Sequence, residues 1–203
     1  MLLDADDSQL VLVDYQARLM PAIHESQRVL ANAMRLARLA QLLDVPAWGT
    51  EENAPRLGEN PPELKALCRR TLAKMHFSAV ADGLAELLRP PARLQQGGNA
   101  RSLPRHLQKP QQQQPDEGRN TIVMAGCEAH VCLLQTSLDL LDEEFDVWVV
   151  TDACSSQSER NRDAAFDRLA AAGAELVTTE MVAFEWLRSA DHPQFRDALA
   201  LIK

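Results

Sequence analysis

The hydrophobic pattern of the chain alternates between two periods. Six short apolar runs, QLVLVD (9–14), VPAWGT (45–50), TLAKMH (71–76), TIVMAG (121–126), DVWVVTD (146–152) and AELVTT (174–179), are mostly continuous. Continuous runs of this length predict strands buried on both faces of a parallel sheet. Between them, residues 26–44, 78–89, 132–144 and 161–173 repeat apolar positions at helical spacing, and residues 182–203 predict one or two closing helices. Strands alternating with helices of this length imply right-handed βαβ crossovers and a three-layer α/β/α fold.

One segment breaks the alternation. Residues 94–120, LQQGGNARSLPRHLQKPQQQQPDEGRN, are rich in Gln, Pro and Gly and nearly free of large apolar side chains. Such a composition buries too little surface to offset the ordering of its backbone, so it predicts a mobile insertion before the fourth strand. With 203 residues and no internal repeat, the whole chain, 1–203, reads as a single domain carrying that insertion.

The totals exclude several partners. There are 21 basic against 29 acidic residues, a net charge of −8, which gives no global positive field to hold nucleic acid or an anionic membrane. No apolar run approaches the roughly 18–20 residues needed to cross a bilayer, and the start MLLDADDSQ carries acids where a secretory signal carries bases. The four cysteines, Cys68, Cys127, Cys132 and Cys154, are too sparse for a disulfide-stapled secreted domain. Free thiols in a cytoplasmic protein are the expectation.

In an open parallel sheet, ligands bind at the carboxyl ends of the strands, which reduces the candidate chemistry to three positions. Asp14 ends the first run, and YQARLMP after it contains no glycine, so the phosphate-cradling turn of a nucleotide site is missing. Asp14 is then a general base or a turn-forming residue. Lys74 stands among apolar neighbours in TLAKMHFSAV, where an ammonium needs a carboxylate partner, Asp14 being the obvious one, or a route for its amine to snorkel to water. Cys132 lies off the seam formed by Val131, Leu134, Leu138 and Leu141, at the start of the helix after the fourth strand. Free N–H groups and the helix dipole there would lower a thiol pKa and could hold an oxyanion, whereas the alternative is an inert buried cysteine.

Cys127, His130 and Cys132 in CEAHVC also suggest metal ligands, but no second ligand set accompanies them, and no metal or other cofactor is expected. Cys68 and Cys154 read as packing residues. His24, His76, His106 and His192 carry no triad-like spacing.

An aspartate after the first strand, a lysine in the third and a cysteine opening the helix after the fourth resemble the isochorismatase-like cysteine hydrolases. The resemblance runs over nearly the whole chain, through LVLVDYQ (10–16), TEEN with a nearby LG (50–58), LAKMHFSA (72–79), GCEAHVCLLQTSLDLL (126–141), VWVVTDACSS (147–156) and TTEMVAFEWL (178–187). The EAHVC form is most similar to the uncharacterised isochorismatase-domain hydrolases and unlike the nicotinamidases.

The resemblance implies a Rossmann-like sheet of six parallel strands. It implies a triad in which Asp14 takes the proton of Cys132 while Lys74 supports the charge. A non-proline cis peptide would join Cys127 to Glu128, with an oxyanion hole from the N–H groups of Glu128 and Cys132. Nicotinamidases of this family bind a metal through an aspartate and histidines after the second strand, and TEENAPRLG offers no histidine there. Isochorismatases proper cleave a vinyl ether without a cysteine, so Cys132 turns the expectation towards C–N bonds. Ala129 replaces a threonine common in relatives.

The reading is therefore a hydrolase of small-molecule amides. Two others stay open: a catalytically silent oligomeric module, and a redox-sensing thiol protein using Cys132 with Cys127 as resolving thiol. Tyr15, Gln16, Trp48, Thr50, Glu51 and Phe77 lie near the triad in the chain and are candidate pocket residues. Relatives are commonly homo-oligomers, and the apolar EMVAFEWL segment (180–187) is a candidate interface.

Overall fold

The computed structural model describes residues 1–89 and 118–203. Six strands, β1 (Ser8–Val13), β2 (Ala47–Glu52), β3 (Arg70–Lys74), β4 (Thr121–Gly126), β5 (Asp146–Val150) and β6 (Glu175–Val177), form one all-parallel sheet in the order β3-β2-β1-β4-β5-β6. Helices α1 (Ser26–Leu42), α2 (Ala54–Leu57), α3 (Pro62–Lys65), α4 (Leu84–Leu88), α5 (Leu134–Asp142), α6 (Glu159–Ala171), α7 (Thr179–Leu187) and α8 (Phe195–Ile202) connect and cover the strands. Every residue of β1 and β4 is buried, as their continuous apolar runs require.

The strand order places the site. From β1 the chain builds outward through β2 to β3, then returns to lay β4 against the other side of β1. The β1–β4 boundary is thus a topological switch point, where the two following loops diverge and leave a crevice at the carboxyl ends. Gly126, in register with Val13, makes the closest approach there: an added Cβ would lie 2.5 Å from the Val13 Cβ and from its carbonyl oxygen.

Several boundaries differ from the sequence expectation. The helix expected over 78–89 is a 3-10 turn, Val80–Asp82, followed by the short α4, because Gly83 takes φ 95° and interrupts it. The helix expected to open at residue 132 begins earlier, as a π-helical turn over Ala129–Leu133 that runs into α5. Its buried face is Leu133, Leu134, Thr136, Ser137 and Leu140, so of the expected seam Leu134 is buried while Val131, Leu138 and Leu141 are only half-buried. The anticipated insertion lies outside the described residues except for 118–120. Among the described residues no helix is long and apolar enough to cross a membrane.

Candidate active site

The edge strand β3 is exposed or half-buried along its length until its last residue, Lys74, which is 3% exposed. A buried ammonium needs compensation, and two carboxylates supply it. Lys74 Nζ lies 2.8 Å from Asp14 Oδ2 and 2.9 Å from Glu52 Oε2. These partners outweigh the cost of burial, and the ammonium is held above its ordinary pKa. Nζ also donates to the carbonyls of His76 and Phe77 at 3.3 and 3.2 Å, so the loop after β3 wraps around it.

Asp14 leaves β1 with φ 54°, a left-handed turn that swings its fully buried carboxylate across the ends of the neighbouring strands. The Thr50 hydroxyl donates to Oδ1 at 2.6 Å, leaving Oδ2 for Lys74. Glu52 reaches the cluster because β2 continues to that residue. In strand alternation it shares a face with Thr50, and it lies opposite Lys74 in register. Gln16 fixes the end of β2 through both amide atoms, its Nε2 donating to the Glu52 carbonyl at 2.9 Å and its Oε1 accepting the Glu52 N–H at 2.8 Å.

Cys132 arrives from the other side of the switch point. Its Sγ and carboxylate oxygens of Asp14 and Glu52 all lie within 4.8 Å of one another. Burial first, and then the Asp14 carboxylate, push the thiol above its ordinary value against the opposing pull of Lys74. This corrects the expectation of a thiol lowered by a helix start: burial and a facing carboxylate outweigh the dipole of one turn. The sulfur thus faces a buried carboxylate in surroundings that favour the thiol over the thiolate. The same three residues have donors close enough for a metal ion, but the Lys74 ammonium, bonded to two of them, supplies the positive charge such an ion would bring.

The Cys127–Glu128 peptide is cis. The Glu128 carbonyl accepts the N–H groups of Val131 and Leu133 at 3.1 and 3.3 Å, and the Ala129 N–H donates to Ser155 O at 2.8 Å. The Glu128 N–H has no hydrogen-bond acceptor among the described residues. His130 fastens this loop outward. Its Nδ1 lies 2.9 Å from Ser156 Oγ and 3.4 Å from Glu128 Oε2, and its Nε2 lies 3.3 Å from Asn161 Nδ2. Serine and carboxylate meet the same ring nitrogen, so no Ser-His-Glu relay is formed.

The other anticipated pocket residues divide. Thr50 and the Phe77 carbonyl belong to the cluster, and the Phe77 side chain is 53% exposed beside it. Gln16 is a buried clamp. Tyr15 is a core anchor, fully buried with its hydroxyl donating to Ala153 O at 2.6 Å. Trp48 is a correction: it lies near the amino end of β2, its indole N–H donating to Gln9 Oε1 at 2.9 Å. Glu51 is a second correction, since it alternates to the opposite face, accepting the Asn60 N–H at 2.8 Å with Lys65 Nζ at 3.2 Å. The residue missed was Glu52, and the signal was its two-residue spacing from Thr50. A cavity of about 510 Å³, bordered by Arg28, Asp152, Cys154, Ser155, Arg162 and Thr178, lies beyond β5, and neither Asp14, Lys74 nor Cys132 borders it.

Residues 108–181 match the family model described as Isochorismatase domain. The chain is 34% identical over 198 residues to isochorismatase domain-containing protein 2 of Rattus norvegicus, covering 98% of this chain and 82% of that protein. Among solved structures, MAR1 ribonuclease from Caenorhabditis elegans superposes with a TM-score of 0.82 at 27% identity, covering 100% of this chain and 92% of that one. The YcaC gene product of Escherichia coli, described as an octameric hydrolase of unknown specificity, gives 0.77 at 27% identity, with coverages of 100% and 87%.

Proposed function

The chain belongs to the isochorismatase domain family, whose fold and hydrolase relatives it shares, and from that premise we propose that it hydrolyses a small-molecule amide-type C–N bond through Cys132. The observation that carries this reading is the convergence of a buried thiol, a buried carboxylate and a buried ammonium at the switch point. Asp14 accepts the thiol proton as Sγ attacks the carbonyl carbon, and Lys74 balances the negative charge that passes between sulfur and carboxylate. The N–H groups of Glu128 and Cys132 receive the oxyanion. Asp14 returns the proton to the departing amine. It then takes one from the water that cleaves the thioester, restoring the thiol and releasing the acid.

No cofactor enters this scheme. The raised thiol fits it, because a protonated sulfur beside its base delivers a nucleophile only when substrate is present. A redox pair with Cys127 fits less well: that thiol is buried and pushed up to about 12, far from the accessible thiolate a resolving cysteine needs.

In this reading the protein acts as a homo-oligomer, as its octameric relative does. The exposed side chains of Met181 and Phe184 on α7 contribute to the contact, while Val182, Ala183, Trp186 and Leu187 of the same segment serve the core.

The test is incubation with a panel of small primary and secondary amides, following amine release and intact mass. Turnover with a transient acyl adduct on Cys132 is expected, absent in Cys132→Ser and slowed about 10²–10⁴-fold in Asp14→Asn. Undiminished turnover in Cys132→Ser would overturn the reading.

A further inference from the structure

The charges at the switch point do not balance. Asp14 and Glu52 are both buried carboxylates, and Lys74 is the only cation paired with either among the described residues. Two negative groups therefore share one positive group within a few ångströms of the nucleophile, and passing the Cys132 proton to Asp14 moves one negative charge to the sulfur without relieving that excess. A buried site of this kind attracts a group of opposite charge and rejects one of like charge far more strongly than the same charges would in water.

Glu52 is the surplus member. Asp14 already supplies one carboxylate for the one ammonium, is tied to Thr50 and serves as the base. Glu52 lies opposite Lys74 on the neighbouring strand, with its backbone gripped at N–H and carbonyl by Gln16, so its side chain is aimed at the cluster by the sheet itself. Glu51, one residue earlier, is directed to the other face, where it shares Lys65 with Glu59 near the surface. Of two consecutive glutamates, each sharing a lysine with a second carboxylate, only Glu52 carries its charge to the buried face beside the thiol.

We propose that Glu52 is the specificity-determining residue of this site, and that the substrate is a small amide carrying a positive charge, such as an ammonium group, near its scissile carbonyl. The inference rests on Cys132 being the nucleophile. A carboxylate-bearing substrate, or a phosphodiester, would meet two carboxylates with only one ammonium to offset them. The site is thereby matched to cationic amides first, neutral amides next and anionic ones last.

Charge selection can be read without knowing the substrate, using two methanethiosulfonate reagents of similar size. One carries a 2-aminoethyl group and the other a 2-sulfonatoethyl group. In each, Sγ forms a mixed disulfide with the reagent's divalent sulfur, methanesulfinate leaves, and the thiol proton passes to Asp14 and then to buffer. Rates at Cys132 are followed by peptide mass in a Cys68→Ser background and divided by those of free cysteine. In the otherwise native protein the cationic reagent is expected to react about tenfold or more faster than the anionic one, the factor equivalent to about 1.4 kcal/mol. Glu52→Gln should abolish most of that preference, while Glu51→Gln should leave it unchanged. Raising the salt concentration should narrow the preference in the native sequence, a readout independent of how any variant folds.

A Cys132 that reacts with both reagents at the free-cysteine ratio, or whose preference survives Glu52→Gln, would overturn the role of Glu52 and leave the nucleophile standing. A Cys132 inert to both reagents and to neutral iodoacetamide would overturn the nucleophile and the charge selection together.

Discussion

The two ends of the central strand pair bury polar groups in opposite ways. At the amino end of β1, the neutral Gln9 side chain donates to the carbonyls of Leu88 and Arg119 at 3.0 and 2.9 Å and accepts the Trp48 indole N–H. Ser8 beside it receives the Trp186 indole N–H at 3.0 Å. At the carboxyl end the groups are ionic and the count is uneven, with two carboxylates, one ammonium and a thiol. Neutral hydrogen bonds that satisfy one another make a closed edge, stable and inert. An uneven ionic set makes an edge that is complete only when something else arrives.

The sharpest way to break that contrast is to remove the one cation. Lys74→Met leaves two buried carboxylates facing each other, and should lower unfolding stability by about 3–5 kcal/mol in urea denaturation. If the carboxyl end were as neutral in character as the amino end, the loss would be no larger than that of a single hydrogen bond. The matching change at the other end, Gln9→Leu, keeps the volume but strands an indole N–H and two carbonyls, for an expected loss of about 1–3 kcal/mol.

A third expectation is a slope with pH. Burial raises the Cys68 thiol to about 11 and the Cys127 thiol to about 12, from an ordinary 9.0. A group whose folded pKa is raised keeps its full contribution below the unfolded value, and loses it as the unfolded state sheds its proton first. Stability should therefore be level up to about pH 9. It should then fall by about 1.4 kcal/mol per pH unit for each thiol, ending near 11 for Cys68 and 12 for Cys127. Urea midpoints between pH 7 and 11, compared in Cys127→Ala, isolate the second contribution.

Much of this contrast was legible in the chain. The continuous apolar runs marked buried parallel strands, and a lysine inside one of them asked for the carboxylate it has. The position of Asp14 after β1 followed from the same rule of strand ends. What stayed hidden depended on phase and on environment. A strand read as ending at Thr50 gave no face to the two glutamates beyond it, so Glu51 was assigned to the site that Glu52 occupies. Helical phase taken from a regular start at Cys132 missed the π-turn, and with it the true buried face through Leu133 and Leu140. The thiol's raised pKa could not be read at all, since it follows from the depth of burial and from a carboxylate more than a hundred residues away in sequence.

The Gln9 clasp has a further use. Its single amide nitrogen holds the Leu88 carbonyl, which closes α4, and the Arg119 carbonyl, two residues before β4, so one atom of β1 ties both. That spot is on the amino edge of the sheet, across its full width from the thiol. Seen by a protein engineer, one amide staples α4, β1 and the approach to β4 together, and it can be altered without touching the thiol at the opposite end of the strands.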